Sequence, residues 1–305
     1  MIKRTLYFGN PAYLSTENRQ LVIRLPDKCG SGNAVTKSIP IEDIGVVVLD
    51  NRQITITQAA LESLSENASA VIVCDSTHHP VSLQLPLDGN TLQSERFAAQ
   101  IRASLPLKKQ LWQQTIQCKI RNQAMVLSSI RNCETGNMIA WSSQVKSGDS
   151  DNLEARAAAY YWRNMFPSVP DFTRDRYGCQ PNNLLNYGYA ILRAVVARAL
   201  VVNGLLPTLG IHHHNRYNAY CLADDIMEPY RPFVDALVVD IFDNSNGLVD
   251  LTTSVKSQLL SIPTIDVVID GCRSPLMNGV GRTTHSLYKC FSGESRKLVY
   301  PSFNI

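Results

Sequence analysis

The apolar pattern changes from strand-like to helix-like near residue 88, and this change most constrains the fold. Before it, short β-rich runs such as Ile44–Leu49 are separated by turns. After a Pro/Gly/Asn-rich segment at residues 85–90, long helical patterns follow, including residues 108–131. The sequence therefore predicts an α+β protein, with a small β-rich N-terminal domain over residues 1–88 and a larger all-helical C-terminal domain over residues 89–305.

Composition excludes only a few functions. The chain has 305 residues and a formal net charge of +3. This small charge neither predicts nor excludes DNA binding, because local basic patches act over only about 8–10 Å in salt. No apolar stretch is long enough to span a membrane and no secretion signal is visible, so we expect a cytoplasmic protein. The eight cysteines include no Cys-x-x-Cys pair, which indicates reduced thiols rather than a zinc ribbon.

The densest group of chemically active residues is a run of three histidines followed by acidic residues. His212, His213 and His214 precede Asp225 and Glu228. Imidazole and carboxylate groups suit manganese and magnesium, and two residues three apart on a helix share a face. In an extended segment His213 points opposite to its two neighbours, so we expect one histidine ligand. The alternative is a solvated histidine loop followed by an acidic helix.

Glu154 has two interpretations. Asp151 and Glu154 match a capping box, in which Asp151 caps a helix and Glu154 is its third residue. Spacing alone favours this capping role over a role as a metal ligand.

Several basic residues are candidates for contact with DNA phosphates. Arg174 and Arg176 lie beside Tyr177 in a predicted loop, an arrangement that can bind phosphate and stack on a base. The alternative for each basic residue is a solvated surface position. The predicted DNA contacts are Arg163, Arg174, Arg176, Lys108 and Lys109. No phosphate-binding P-loop, nucleophile elbow or dinucleotide fingerprint is present.

A series of segments, in order and spacing, resembles a known family. They are Tyr7–Ser15, Ile39–Ile44, Leu49–Thr55, Leu153–Ala158, Leu185–Ala190 and Gly210–Pro232. Together they resemble the CRISPR-associated integrase family Cas1 over almost the whole chain. The resemblance is greatest to the branch that accompanies Cas9 effectors.

The resemblance implies a metal site. Its pattern is a glutamate at the start of a helix, then a histidine, then an acidic residue fifteen positions later. Glu154, His213 and Glu228 occupy these places as implied catalytic residues and metal ligands. Asp225 matches a further acidic position, with a supporting role. Under this implication Glu154 is a ligand, whether or not it also caps its helix.

The resemblance also implies an activity and partners. The implied activity is a DNA integrase and endonuclease of CRISPR adaptation that uses Mg²⁺ or Mn²⁺. It inserts short foreign DNA into the repeat array by 3′-hydroxyl transesterification. The implied partners are double-stranded DNA with 3′-hydroxyl ends, CRISPR repeat DNA, a Cas2 dimer and a second copy of the chain, paired through the β-rich domain. The alternatives are a non-catalytic DNA-binding scaffold and a general nuclease that repairs branched DNA.

Overall fold

The structure, a computed structural model, confirms the predicted fold class. A strand-rich region comes first and a helical region follows. The chain divides into two compact units, an N-terminal unit over residues 1–89 and a C-terminal unit over residues 90–305. The described residues are 3–26, 35–78, 80–245 and 250–303.

The described part of the N-terminal unit contains two four-stranded sheets. Its elements are β1 (Arg4–Phe8), β2 (Ala12–Glu17), β3 (Gln20–Leu25), β4 (Val35–Pro40), a 3-10 turn (Ile41–Asp43), β5 (Ile44–Leu49), β6 (Ile54–Ile56), α1 (Gln58–Glu66), β7 (Ala70–Cys74) and β8 (Pro80–Gln84). One sheet has the order β1-β5-β7-β8 and the other β4-β3-β2-β6. Strands β1, β5 and β7 are parallel, and β8 is antiparallel to β7.

The sequence signals of this unit correspond to specific packing. All six residues of β5 are buried, as its continuous apolar run predicts for a strand between two others. Thr57 caps α1 by accepting a hydrogen bond from the Ala60 amide at 3.3 Å, as a threonine just before an apolar helical pattern predicts. Leu14 and Leu21 of one sheet pack in one cluster with Val47 of the other.

The C-terminal unit is a bundle of helices. Its helices are α2 (Gln93–Arg102), α3 (Leu105–Arg131), α4 (Gly136–Gln144), α5 (Leu153–Met165), α6 (Asn182–Val202), α7 (Cys221–Met227), α8 (Arg231–Asp243), α9 (Thr253–Leu259) and α10 (Leu276–Ser292). Short 3-10 turns occur at Ser147–Asp149, Glu228–Tyr230 and Ile262–Thr264.

A β-hairpin in this unit corrects the prediction that it is all-helical. Strands β9 (Asp266–Ile269) and β10 (Cys272–Pro275) pair antiparallel. Asp270 and Gly271, at φ of 50° and 72°, form the tight turn between them. An Asp-Gly pair adopts two positive φ values with little strain, and the sequence contained this signal.

Helix α6 forms the centre of the C-terminal unit. By length and composition it is apolar enough to cross a membrane, but 67% of its most apolar window is buried inside the protein. It packs against α7, α8 and α10. We therefore interpret it as a core helix. None of the seven cysteines in the described ranges forms a disulfide.

A buried carboxylate joins three of these helices. Asp235 of α8 accepts hydrogen bonds from Tyr161 of α5 at 2.9 Å and from Tyr189 of α6 at 2.5 Å. Burial raises the pKa of Asp235 to about 6, although the two tyrosine hydroxyls, Arg231 and Arg174 oppose the shift. The native state therefore binds a proton on Asp235 more tightly than the unfolded chain does.

We predict that Asp235→Asn flattens the dependence of stability on pH. Because the native pKa of Asp235 is raised, its contribution is full below pH 3.8 and is lost as pH rises toward 6. Over this range the free energy of unfolding of the parent should fall by about 2–3 kcal/mol relative to Asp235→Asn, measured by urea denaturation. As a control, Tyr161→Phe removes one hydrogen bond that lowers the pKa of Asp235. The pH at which the parent loses half of this stability should therefore be higher in Tyr161→Phe. Identical pH slopes for Asp235→Asn and parent would contradict the prediction.

Candidate metal centre

Two of the predicted ligands, Glu154 and Glu228, meet at the ammonium of Lys119. Lys119 Nζ lies 2.6 Å from Glu154 Oε1 and 2.6 Å from Glu228 Oε2. Lys119 belongs to α3, Glu154 to the first turn of α5, and Glu228 to the 3-10 turn between α7 and α8. Lys119 and Glu228 are 9% and 4% exposed. Three segments far apart in sequence thus bring together a cation and two carboxylates, with the Glu154 side chain 25% exposed.

The start of α5 directs Glu154 into this site, and it corrects the predicted capping box. Helix α5 begins at Leu153, and Asp149 accepts hydrogen bonds from the Leu153 and Glu154 amides at 2.9 and 3.0 Å. Asp151 instead forms an ion pair with Lys146 at 2.7 Å. Because Asp149 satisfies the first amides, the Glu154 carboxylate is available to Lys119.

Glu228 is an ionised carboxylate held between two cations. Burial would raise its pKa, but Arg231 and Lys119 reverse this effect and lower it to about 2. Arg231 Nε lies 2.9 Å from Glu228 Oε1, so the two side chains form an ion pair. Lys119 donates a hydrogen bond to Glu154 Oε1 and forms an ion pair with Glu228 Oε2. Glu228 Oε2 thus has the Lys119 ammonium as its partner.

Asp225 organises the loop that carries the histidines. It is fully buried, and its two oxygens accept hydrogen bonds from the amides of Ile211, His212 and His213 at 2.7, 2.9 and 3.1 Å. Its Oδ1 also lies 2.5 Å from His213 Nδ1. An added Cβ at Gly210 would lie 2.8 Å from Asp225 Oδ2 and closer still to the His213 carbonyl oxygen, so this turn requires glycine.

The three histidines have different surroundings. The His213 ring is held at Nδ1 by Asp225, which leaves Nε2 as the nitrogen that can bind an ion. The His212 ring stacks on Trp112, with centroids 4.1 Å apart and planes 1° from parallel. The His214 ring contacts the His212 carbonyl oxygen and is exposed. The carboxylate at Nδ1 therefore distinguishes His213 from its neighbours.

The chemistry of these side chains fits a divalent cation. In the ranges that the structure describes, no three His, Cys, Asp or Glu side chains are close enough to hold an ion as they stand, and Lys119 lies between the two glutamates. The pKa of His213 is raised, mainly by its hydrogen bond to Asp225 and further by Glu228 and Glu154. The electrostatic field of Glu154 and Glu228 thus reaches the His213 imidazole. Two carboxylates already share one cation, because Glu154 Oε1 and Glu228 Oε2 both contact Lys119 Nζ.

Comparison with known proteins decides the family. The model of the family described as CRISPR associated protein Cas1 matches residues 6–260. The chain belongs to the Cas1 family. The CRISPR-associated endonuclease Cas1 of Neisseria meningitidis serogroup C (strain 8013) is 38% identical over 266 residues, which are 85% of this chain and 83% of that protein. Membership of the branch that accompanies Cas9 stays a prediction.

Solved structures show the same fold at lower identity. A casposase bound to an integration product has a TM-score of 0.79 at 20% identity, over 98% of this chain and 92% of its own. A chain of a Cas6-RT-Cas1–Cas2 complex has a TM-score of 0.76 at 19% identity, over 99% of this chain and 36% of its own. The architecture of this Cas1 family member is therefore that of the helical and strand-rich Cas1 fold.

The predicted DNA-contacting residues fall into two groups. Arg163, Arg176 and Lys109 are exposed and Lys108 is half-buried, as DNA contacts require. Arg163 lines an open cleft of about 870 Å³ whose walls include aromatic side chains. The Arg176 guanidinium lies 5.7 Å from the ring centre of Tyr177, which is 88% exposed.

Arg174 differs from the other four because its guanidinium is held within the protein. It donates hydrogen bonds to Asn182 at 2.9 Å and Asn186 at 2.7 Å, and lies 5.1 Å from the ring centre of Tyr189. These interactions tie the loop before α6 to the helix itself. Arg174 therefore orders the loop that presents Arg176.

The sequence did not assign several residues that shape this region to the metal centre. Lys119 lies in a regular helical pattern, and Trp112 has the spacing of a core residue, so neither carries a local signal. Arg216 lies 4.5 Å from the ring centre of Tyr217, which is 80% exposed. This Arg-Tyr pair follows the histidine run directly, and that proximity was a usable signal.

We predict that Asp225→Asn loosens the histidine loop. An amide offers one oxygen and places an NH₂ group against backbone N–H donors, leaving buried donors unsatisfied. Hydrogen exchange of the Ile211 and His212 amides should accelerate about tenfold or more, measured by mass spectrometry or NMR. Asp224→Asn, at a carboxylate that pairs with Arg193 at 2.7 Å, is the matched control and should leave these amides unchanged. Unaltered exchange in Asp225→Asn would contradict the role assigned to Asp225.

Proposed function

We propose that this Cas1 family member is a metal-dependent DNA integrase and endonuclease of CRISPR adaptation. The observation that carries the proposal is the meeting of Glu154 and Glu228 on one cation, beside His213 oriented by Asp225. The relative named CRISPR-associated endonuclease Cas1 and the casposase bound to an integration product support this class of reaction.

In the proposed reaction, the 3′-hydroxyl of a short DNA attacks a phosphodiester at the edge of a CRISPR repeat. A bond forms between that 3′ oxygen and phosphorus, and the bond from phosphorus to the 3′ oxygen of the repeat strand breaks. The attacking hydroxyl loses its proton and the leaving oxygen gains one, so the number of phosphodiester bonds is unchanged.

The residues of the centre have separate tasks in this reaction. Glu154, Glu228 and His213 Nε2 would hold Mg²⁺ or Mn²⁺, which would stabilise negative charge on the phosphoryl oxygens and favour loss of the hydroxyl proton. Glu228 is ionised at neutral pH because its pKa is about 2. Asp225 keeps the His213 ring in one orientation, as carboxylates do for metal-binding histidines.

We predict that His213→Ala and Glu154→Gln each lower strand joining by more than about 100-fold, because each removes a ligand. His214→Ala is the matched control and should retain most activity, since its ring is exposed and contacts only its own loop. The measurement is joining of 3′-hydroxyl DNA to repeat DNA with Mn²⁺, beside DNA binding by the same proteins.

The same assay separates the alternatives. If His214→Ala lost activity while His213→Ala kept it, the ligand assignment would be wrong. If neither His213 nor Glu154 mattered, the DNA-binding scaffold would replace the integrase. Product formation from DNA that lacks a 3′-hydroxyl would favour the branched-DNA nuclease, because strand joining needs that group as nucleophile.

DNA binding should depend on phosphates rather than on sequence. We predict that replacing Lys108 and Lys109 by alanine weakens binding equally for unrelated sequences and reduces the salt slope by about 1 for each lysine that neutralises a phosphate. Lys289→Ala, at an exposed lysine of α10, is the control for the loss of surface charge. Binding to a single sequence that does not respond to salt would contradict this prediction.

We also propose that the chain forms a homodimer through its N-terminal unit and assembles with a Cas2 dimer in the cytoplasm. Strand β4 lies at the edge of its sheet, and most of its residues are exposed, so it offers unpaired backbone groups for pairing. The Cas6-RT-Cas1–Cas2 complex among the similar structures supports the Cas2 partner.

A further inference from the structure

Lys119 lies outside the predicted ligand set, yet its ammonium contacts both glutamates of the candidate metal centre, at 2.6 Å each. A buried lysine is ordinarily paired, and this one lies between two carboxylates on different elements. The role inferred for Lys119 rests on the proposed metal site, because it concerns the effect of this lysine on ion binding there.

The charges that pair directly at the two glutamates are balanced without any further ion. Glu154 and Glu228 each carry one negative charge, and Lys119 and Arg231 each carry one positive charge. A divalent ion bonded to the same oxygens would add two positive charges beside the buried Lys119 and Glu228. Binding of the ion is therefore unfavourable unless one of the two cations moves away.

Lys119 is the cation that can move. Its ammonium is at the end of four methylene groups, and it occupies the space between the oxygens that an ion needs. Arg231 contacts the other oxygen of Glu228, and its planar group lies 4.5 Å from the ring centre of Tyr189. Arg231 can thus stay in place while Glu228 Oε2 and Glu154 Oε1 exchange one cation for another.

We infer that Lys119 is a resident competing cation: it holds Glu154 and Glu228 together, and a divalent ion binds by displacing its ammonium. Without a bound ion, Lys119 offsets the electrostatic repulsion between the carboxylates of Glu154 and Glu228. It also weakens metal affinity, so a higher concentration of ion is needed to fill the site. A purely structural lysine would have the opposite effect, since its loss would spoil the geometry of the ligands.

The direct test is Mn²⁺ binding by the parent protein, Lys119→Met and Lys146→Met, followed by the electron paramagnetic resonance signal of free Mn²⁺. Lys119→Met removes the competing charge at similar side-chain length and should bind Mn²⁺ about tenfold more tightly or better. Lys146→Met removes an exposed charge that pairs with Asp151 at 2.7 Å and controls for net charge. Its affinity should stay within about twofold of the parent.

A second measurement uses the parent protein alone, so it does not depend on the folding of a variant. Reductive methylation of lysines, followed by peptide mass spectrometry, reports how accessible each ammonium is. Mn²⁺ should raise the methylation rate of Lys119 several-fold and leave Lys146 unchanged. Protection of Lys119 by Mn²⁺ would overturn the displacement.

The outcomes separate the inference from the proposed function. Equal or weaker Mn²⁺ binding by Lys119→Met than by the parent would overturn the competing role and leave the metal site standing. Absence of Mn²⁺ binding by both proteins would overturn the metal site and the inference together. Tighter binding by Lys119→Met, with faster methylation of Lys119 in the parent, would support both.

Discussion

Glu228 carries a negative charge while almost fully buried, and Lys119 of α3 and Arg231 of α8 balance that charge. An isolated buried carboxylate would take up a proton, but Lys119 and Arg231 hold the pKa of Glu228 at about 2. Removing one partner of such a buried pair typically costs about 3–5 kcal/mol. Because Lys119 lies on α3 and Glu154 on α5, the same balance determines where these helices meet.

In the histidine loop, one carboxylate accepts the backbone hydrogen bonds that secondary structure would otherwise satisfy. Asp225 accepts three backbone hydrogen bonds from a segment that is neither helix nor strand. The fourth interaction, with His213, links the path of the backbone to the orientation of a single imidazole. The supporting residue and the candidate ligand are therefore one structural unit, and a change in Asp225 acts on the centre through the loop.

The basic residues of the proposed DNA-binding surface divide into exposed side chains and side chains that support a loop. Arg176 and Tyr177 are exposed, whereas Arg174 donates its hydrogen bonds to Asn182 and Asn186. Residues of one type, two positions apart, thus have different roles because one side chain faces α6 and the other faces solvent. Burial and available acceptors decide this division, and neither is visible in a count of arginines.

Local patterns in the sequence determined the change from strands to helices near residue 88, the burial of β5 and the cap at Thr57, because these features depend on neighbouring residues. The family resemblance supplied Glu154, His213 and Glu228 as candidates. Only the tertiary structure placed Lys119 between two glutamates and stacked His212 on Trp112. It also showed that Asp149, rather than Asp151, accepts hydrogen bonds from the first amides of α5. These interactions join residues from different elements, and their free energy depends on burial and distance, which a one-dimensional pattern does not contain.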